Sequence, residues 1–116
     1  MGTTLESLRE QLLKFAEDRD WNQFHSPKNL VMALASESGE LIEHFQWLSE
    51  EQSRHLPLNK VQLVADEIAD IQLYLIMIAD KLGIDIFAEC ERKIVKNAQK
   101  YPVDKAKGRS DKYDVL

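Results

Sequence analysis

The sequence predicts an all-α protein, a bundle of four helices, and three observations carry that expectation. Glycine and proline are sparse, with 4 Gly and 3 Pro in 116 residues, too few turn formers for a chain of short strands. Four stretches repeat their apolar residues at i, i+3, i+4 and i+7, the period of a helix with one buried face. The stretches are separated by start and stop signals, Ser26-Pro27 and Gly83-Ile84-Asp85 among them.

The first helix is expected to start at Thr3, with Thr3 and Glu6 as a capping box, and to present Leu5, Leu8, Leu12 and Phe15 on one face. Glu17 to Asp20 ends it. Trp21-Asn-Gln-Phe-His25 follows as a loop whose aromatics have a plain reading as the plug of the bundle's end. Ser26 as N-cap and Pro27 at the first helical position open the second helix, which runs to about Leu48. Its apolar stripe is Leu30, Leu34, Leu41, Phe45 and Leu48. Glu37 falls inside that stripe, where a chain needing only a core would place Leu or Ala. Ser49 to Pro57 reads as a polar loop.

The third helix runs from Leu58 or Asn59 to about Leu82, with Val61, Val64, Ile68, Ile71, Leu75, Ile78 and Leu82 as its stripe. From Ile71 to Ala79 it is apolar nearly all round, so it is expected to be buried on every side. A single domain this small does not supply that cover, which predicts an obligate homo-oligomer with a shared helical core. Gly83 stops this helix and Asp85 caps the fourth, Ile86 to Lys100, whose expected core edge is Ile86, Phe87, Cys90, Ile94 and Ala98. Tyr101-Pro102 ends the globular domain at residues 1–102, and residues 103–116 read as an extended or partly disordered tail.

The bulk properties narrow the function classes. The formal charge is −5, from 20 acids and 15 bases, which disfavours a nucleic-acid polymer as partner. One cysteine rules out an internal disulfide and suits a reducing compartment. The amino terminus lacks the apolar centre of a signal peptide, and the run Ile71 to Ala79 is far shorter than the roughly 20 residues of a membrane span. The expected location is cytoplasmic, with no membrane partner.

The chemistry-bearing pattern is a pair of carboxylate couplets, Glu37-x-x-Glu40 and Glu67-x-x-Asp70. A spacing of three sets both acids of a couplet on one helix face. Acids in or beside a core need a counter-charge, and oxygen donors with no His or Cys inside either couplet favour Mg²⁺ over zinc. His44, four residues after Glu40, reads as a surface or hydrogen-bonded histidine rather than a ligand. The basic cluster Arg92, Lys93, Lys96 and Lys100 is either a solvated face or the complement of a polyanion. From the residues alone, a metal-dependent enzyme, a non-catalytic oligomerising helical module and a nucleotide sensor all stay open.

The couplets, together with Arg19-Asp-Trp-Asn-Gln-Phe-His25, Phe45-Gln-Trp47, Asp66-Glu-Ile-Ala-Asp70, Gly83-Ile-Asp85 and Lys96-Asn-Ala-Gln-Lys-Tyr-Pro102, resemble the MazG-like all-α nucleoside triphosphate pyrophosphohydrolases, in particular the dCTP pyrophosphatase branch. The resemblance implies a MazG-like four-helix bundle, assembled as a homodimer or homotetramer. It implies hydrolysis of a nucleoside triphosphate such as dCTP or a modified dCTP to the monophosphate and pyrophosphate. By position, Glu37, Glu40, Glu67 and Asp70 would hold Mg²⁺, Trp21, His25, Trp47 and Tyr74 would line the base, and Lys93, Asn97, Lys100 and Tyr101 would meet phosphate or sugar. One departure stands out. Some relatives carry a His in the first helix, where this chain has Gln11, Leu12 and Leu13.

Overall fold

The computed structural model describes residues 2–116, and every regular element in it is helical. In chain order these are α1 (Leu5–Asp18), a 3₁₀ turn (Asn22–Phe24), α2 (Pro27–Glu43), the one-turn α3 (Glu50–Ser53), α4 (Leu58–Leu82), α5 (Ile86–Lys100), the one-turn α6 (Val103–Ala106) and a closing 3₁₀ turn (Tyr113–Val115). Four long helices match the four expected. The chain divides into two compact units, one ending at Gly83 and one beginning at Ile84.

In the first unit the local signals act where short-range chemistry decides. Ser26 accepts the Asn29 N–H at 3.1 Å and Pro27 stands first in α2. Gly83 takes the left-handed conformation, φ 67°, that closes α4, and a β-carbon there would favour a different backbone. The cap of α1 lies one residue beyond the expected place. Thr4 Oγ1 accepts from Ser7 N–H and Ser7 Oγ accepts from Thr4 N–H, both at 3.0 Å, while Glu6 is held by Arg9. After α1, Trp21 N–H reaches back to the Ala16 carbonyl at 2.9 Å, and Asp20 adopts φ 54°, a left-handed turn that a short polar side chain tolerates. That reversal fixes Trp21 against the helix it has just left.

Two boundaries differ from expectation. The second helix ends at Glu43 rather than Leu48, because the backbone tightens: His44, Phe45 and Leu48 donate to carbonyls three residues back. The expected loop from Ser49 contains α3, started by a reciprocal Ser49–Gln52 capping box. Both are consequences of hydrogen bonding within one or two turns, which hydrophobic spacing does not report.

The core of this unit is small. Ala16 from α1, Leu30 from α2, and Ile76 and Ala79 from α4 are its buried apolar residues. Arg9 and Asp80, at 2.8 Å, tie α1 to α4 at one side of it. The stripe expected to be core on α4 is split. Val64, Ile71 and Ile78 are half-buried, but Val61, Ile68, Leu75 and Leu82 are exposed, at 46%, 56%, 40% and 56%. Within a single chain the run Ile71–Ala79 is therefore covered on one side, not on all.

In the second unit Asp85 caps α5 by accepting the Ala88 N–H at 3.1 Å. Its predicted core edge is corrected: no residue of α5 is buried, Ile86 is half-buried, and Phe87, Cys90, Ile94 and Ala98 are exposed. The tail is more ordered than extended chain. Pro102 starts α6, Tyr113 meets the Tyr101 ring edge-on at 6.1 Å, and Lys100 Nζ sits 4.6 Å from the Tyr113 ring centre. Among the described residues no helix is long and apolar enough to cross a membrane.

Candidate active site

Two long helices bring the couplets together. Glu37 on α2 and Glu67 and Asp70 on α4 each offer a carboxylate oxygen within 4.8 Å of the others. The spacing explains why. Glu67 and Asp70 stand about 300° apart around α4, so they share the face turned to α2, and Glu37 interrupts the apolar stripe by which α2 packs there. Oε2 of Glu37 and Oε2 of Glu67 have no solvent access and no hydrogen-bond partner.

An ionised carboxylate oxygen stripped of water and left unpartnered is costly, and like charges beside it raise the cost. Glu37 shows the result: its carboxyl is pushed up to about 7, first by burial, then by the carboxylates of Glu40 and Glu67 and the charges of Glu40 and Asp70. Tyr74, one helical turn beyond Asp70, has its phenol raised by burial and by the same acids. A divalent cation is the alternative to a shared proton. Three hard oxygen donors from two rigid helices suit Mg²⁺ or a similar ion, and the two orphaned oxygens are what such an ion would satisfy. Glu40 is exposed and lies outside the three-residue cluster, at its rim beside Glu37.

A cavity of about 510 Å³ opens directly from these acids. Glu37 and Asp70 form its charged wall. Trp21, His25 and Tyr74, three of the residues expected around a base, line it, and so do Phe15 and Met77. Trp21 stands edge-on to Phe15 at 5.5 Å and to His25 at 6.1 Å, and Arg19 lies 3.6 Å above the Phe15 ring, so the aromatic wall is braced from behind. Gln11 and Leu12, from the segment where the first helix lacks a His, also line the cavity.

Trp47 is not part of this wall. It follows α2 in the tightened turn and is 85% exposed. Lys93, Asn97, Lys100 and Tyr101 belong to the second unit, on α5 and at its end. There the charge of Lys100, then desolvation, and then Lys96 and Arg92 lower the Lys93 amine. Spacing had pointed to the acids, and the family resemblance to Trp21, His25, Tyr74 and the segment of Gln11, Leu12 and Leu13, but neither had pointed to Leu8 or Phe15. Those two read as part of an ordinary packing face, and the available signal was the polar Gln11 at its edge. His44 gains a place as well: its Nε2 lies 3.8 Å from Glu67 Oε1, with both side chains more than four-fifths buried.

The shifted Glu37 gives a pH signature. Folded chain holds a proton on Glu37 that unfolded chain, with a carboxyl near 4.5, has released. Metal-free stability is thus greatest below pH 4.5 with respect to this group, and is lost as pH rises through about 7. The melting temperature in EDTA should fall more steeply between pH 5 and pH 8 for wild type than for Glu37→Gln. Mg²⁺ added at pH 8 should restore it in wild type alone. Equal slopes, or equal Mg²⁺ effects, would show that Glu37 is not the strained group.

Residues 32–116 match the description of the MazG-like family. The dCTP pyrophosphatase 1 proteins of Mus musculus and Rattus norvegicus are each 38% identical to the chain over 115 residues, spanning 97% of it and 68% of their own length. The Homo sapiens protein of that name is 36% identical over the same spans. A pyrophosphatase from Archaeoglobus fulgidus, of known crystal structure, is 34% identical and superposes with a TM-score of 0.81 over 88% of this chain and 95% of its own. The family match, the likeness across 97% of this chain and the shared helical frame agree with the acid cluster and its cavity, and the chain belongs to the MazG-like family.

Proposed function

We propose that the protein is a Mg²⁺-dependent pyrophosphohydrolase of nucleoside triphosphates, with dCTP or a modified dCTP as substrate. The observation that carries this reading is one cavity bounded at one wall by Glu37 and Asp70 and at another by aromatic rings. A polyphosphate needs a cation held by oxygen donors, and a nucleobase needs flat apolar surface. At about 510 Å³ the cavity has the size of a small-molecule site. The names of the relatives support the reaction class and the cytosine base.

In this mechanism Glu37, Glu67 and Asp70 would hold the cation, and Glu40 at the rim would be a fourth oxygen donor. The chemistry such a cation supplies is charge neutralisation of the triphosphate and a more acidic water at the α-phosphorus. Trp21, His25, Phe15 and Tyr74 orient the base, and the apolar side chains of Leu73 and Met77 keep bulk water from that end of the cavity. Water oxygen bonds to the α-phosphorus as the bond from that phosphorus to the bridging oxygen breaks, and pyrophosphate departs. Any of the neighbouring carboxylates can take the water proton. Lys93, Asn97, Lys100 and Tyr101 of the second unit complete the reading as contacts to phosphate or sugar. Stacking selects base shape weakly, so several pyrimidine triphosphates are expected to turn over, with the cytosine nucleotides leading.

The reading includes self-association. Val61, Ile68, Leu75 and Leu82 are exposed and recur every seven residues, with Val64, Ile71 and Ile78 at the companion positions. That is the seam by which a helix packs along a second one. Fully burying a side chain of this kind is worth about 1.5–3 kcal/mol, so the exposed row favours a second copy, as a homodimer or homotetramer.

Incubation with Mg²⁺ and a panel of deoxynucleoside triphosphates should yield monophosphate and pyrophosphate. Label from ¹⁸O-water should appear in the monophosphate. Glu67→Ala should lower kcat at least about 100-fold by removing a cation ligand. Orthophosphate as product, or full activity in the variant, would refute the mechanism, and tight binding without turnover would favour a nucleotide sensor. Sedimentation should give two or four times the 13.4 kDa chain mass, and Leu75→Asp should shift it toward a single chain. A wild-type protein that sediments at 13.4 kDa would remove the oligomer from the account.

A further inference from the structure

We infer that His44 is a positioning residue for the cation site: its imidazole holds one oxygen of Glu67 so that the other is presented to the metal. The inference rests on the proposed Mg²⁺ site and assigns a role to a residue outside the carboxylate set. His44 stands seven residues after Glu37, two helical turns on, so both side chains leave α2 toward α4. It is also the C-cap of α2, where its N–H bonds to the Leu41 carbonyl at 3.2 Å and the helix tightens. The imidazole is thereby fixed to the end of a rigid element rather than to a loop.

The two oxygens of Glu67 have different surroundings. Oε1 faces His44 Nε2 at 3.8 Å, with side chains 18% and 17% exposed. Oε2 is fully buried and has no hydrogen-bond partner. A carboxylate with one oxygen facing a donor and the other free would be oriented for monodentate ligation once that donor bonds, the arrangement by which outer groups align a metal ligand and tune its affinity. The Nε2–H tautomer donates whether the ring is neutral or charged, so the role does not depend on its titration. The contact needs to close by only about 0.6 Å to reach hydrogen-bond length. Imidazole is a poor ligand for Mg²⁺ compared with carboxylate oxygen, which favours an orienting role over direct ligation.

The test uses nucleotide-free, full-length protein and Mn²⁺ as a paramagnetic stand-in for Mg²⁺. Free Mn²⁺ is read by electron paramagnetic resonance, and the thermal shift is followed over the same titration. His44→Leu should keep the wild-type melting temperature in EDTA within a few degrees but weaken Mn²⁺ binding about 10-fold to 100-fold. His44→Gln, which keeps a donor of similar reach, should recover most of that loss. In turnover, His44→Leu should raise the Mg²⁺ concentration needed for half-maximal rate while leaving kcat at saturating Mg²⁺ within about threefold. Wild-type Mn²⁺ affinity in His44→Leu overturns the inference and leaves the metal site standing. So does a His44→Gln variant as weak as His44→Leu, since packing rather than donation would then explain the loss. A wild-type protein that binds no Mn²⁺ overturns the inference together with the metal site beneath it.

Discussion

The structure depends on carboxylates that two helices force together without giving them partners. Glu37, Glu67 and Asp70 converge where α2 packs on α4, and two of their oxygens are sealed from water with nothing to bond. A proton on Glu37 relieves part of the repulsion, and a divalent cation would relieve more of it. The fully buried apolar core beside them is only Ala16, Leu30, Ile76 and Ala79, so the strained acids lie close to the few residues that hold the unit together.

The rest of the first unit can be understood as what holds that contact and its cavity in place. Ser26 and Pro27 set where α2 begins, which fixes the height of Glu37 opposite Glu67 and Asp70. The reversal at Asp20 lays Trp21 back on α1, and the Phe15, Trp21 and His25 rings then form one wall. Arg9–Asp80 anchors α1 to α4. The acids sit on packed helices, while Trp21 and His25 flank a short 3₁₀ turn.

Much of this was legible in the sequence, and the particular residues show why. Glu37 stood out because an acid in an apolar stripe violates binary patterning, and violations of that kind collect at functional sites. Ser26-Pro27, Gly83 and Asp85 were readable because caps are decided by three or four neighbouring atoms. The early end of α2 at Glu43 was not, since the tightened bonds of His44 to Leu48 leave no mark on apolar spacing. The rest of the α1 wall was missed because Leu8 and Phe15 serve a cavity and a core with the same spacing. Periodicity correctly found an apolar stripe on α4, but the exposed row Val61, Ile68, Leu75, Leu82 shows that a stripe does not say whose surface will cover it.

The central claim is that the clustered acids of α2 and α4 form one divalent-cation site. Anomalous scattering from crystals grown with Mn²⁺ tests it most directly. The account predicts a peak between the helices, about 2.0–2.3 Å from oxygens of Glu37, Glu67 and Asp70. A map with no peak there, or with Mn²⁺ bound only at exposed acids elsewhere on the chain, would contradict it.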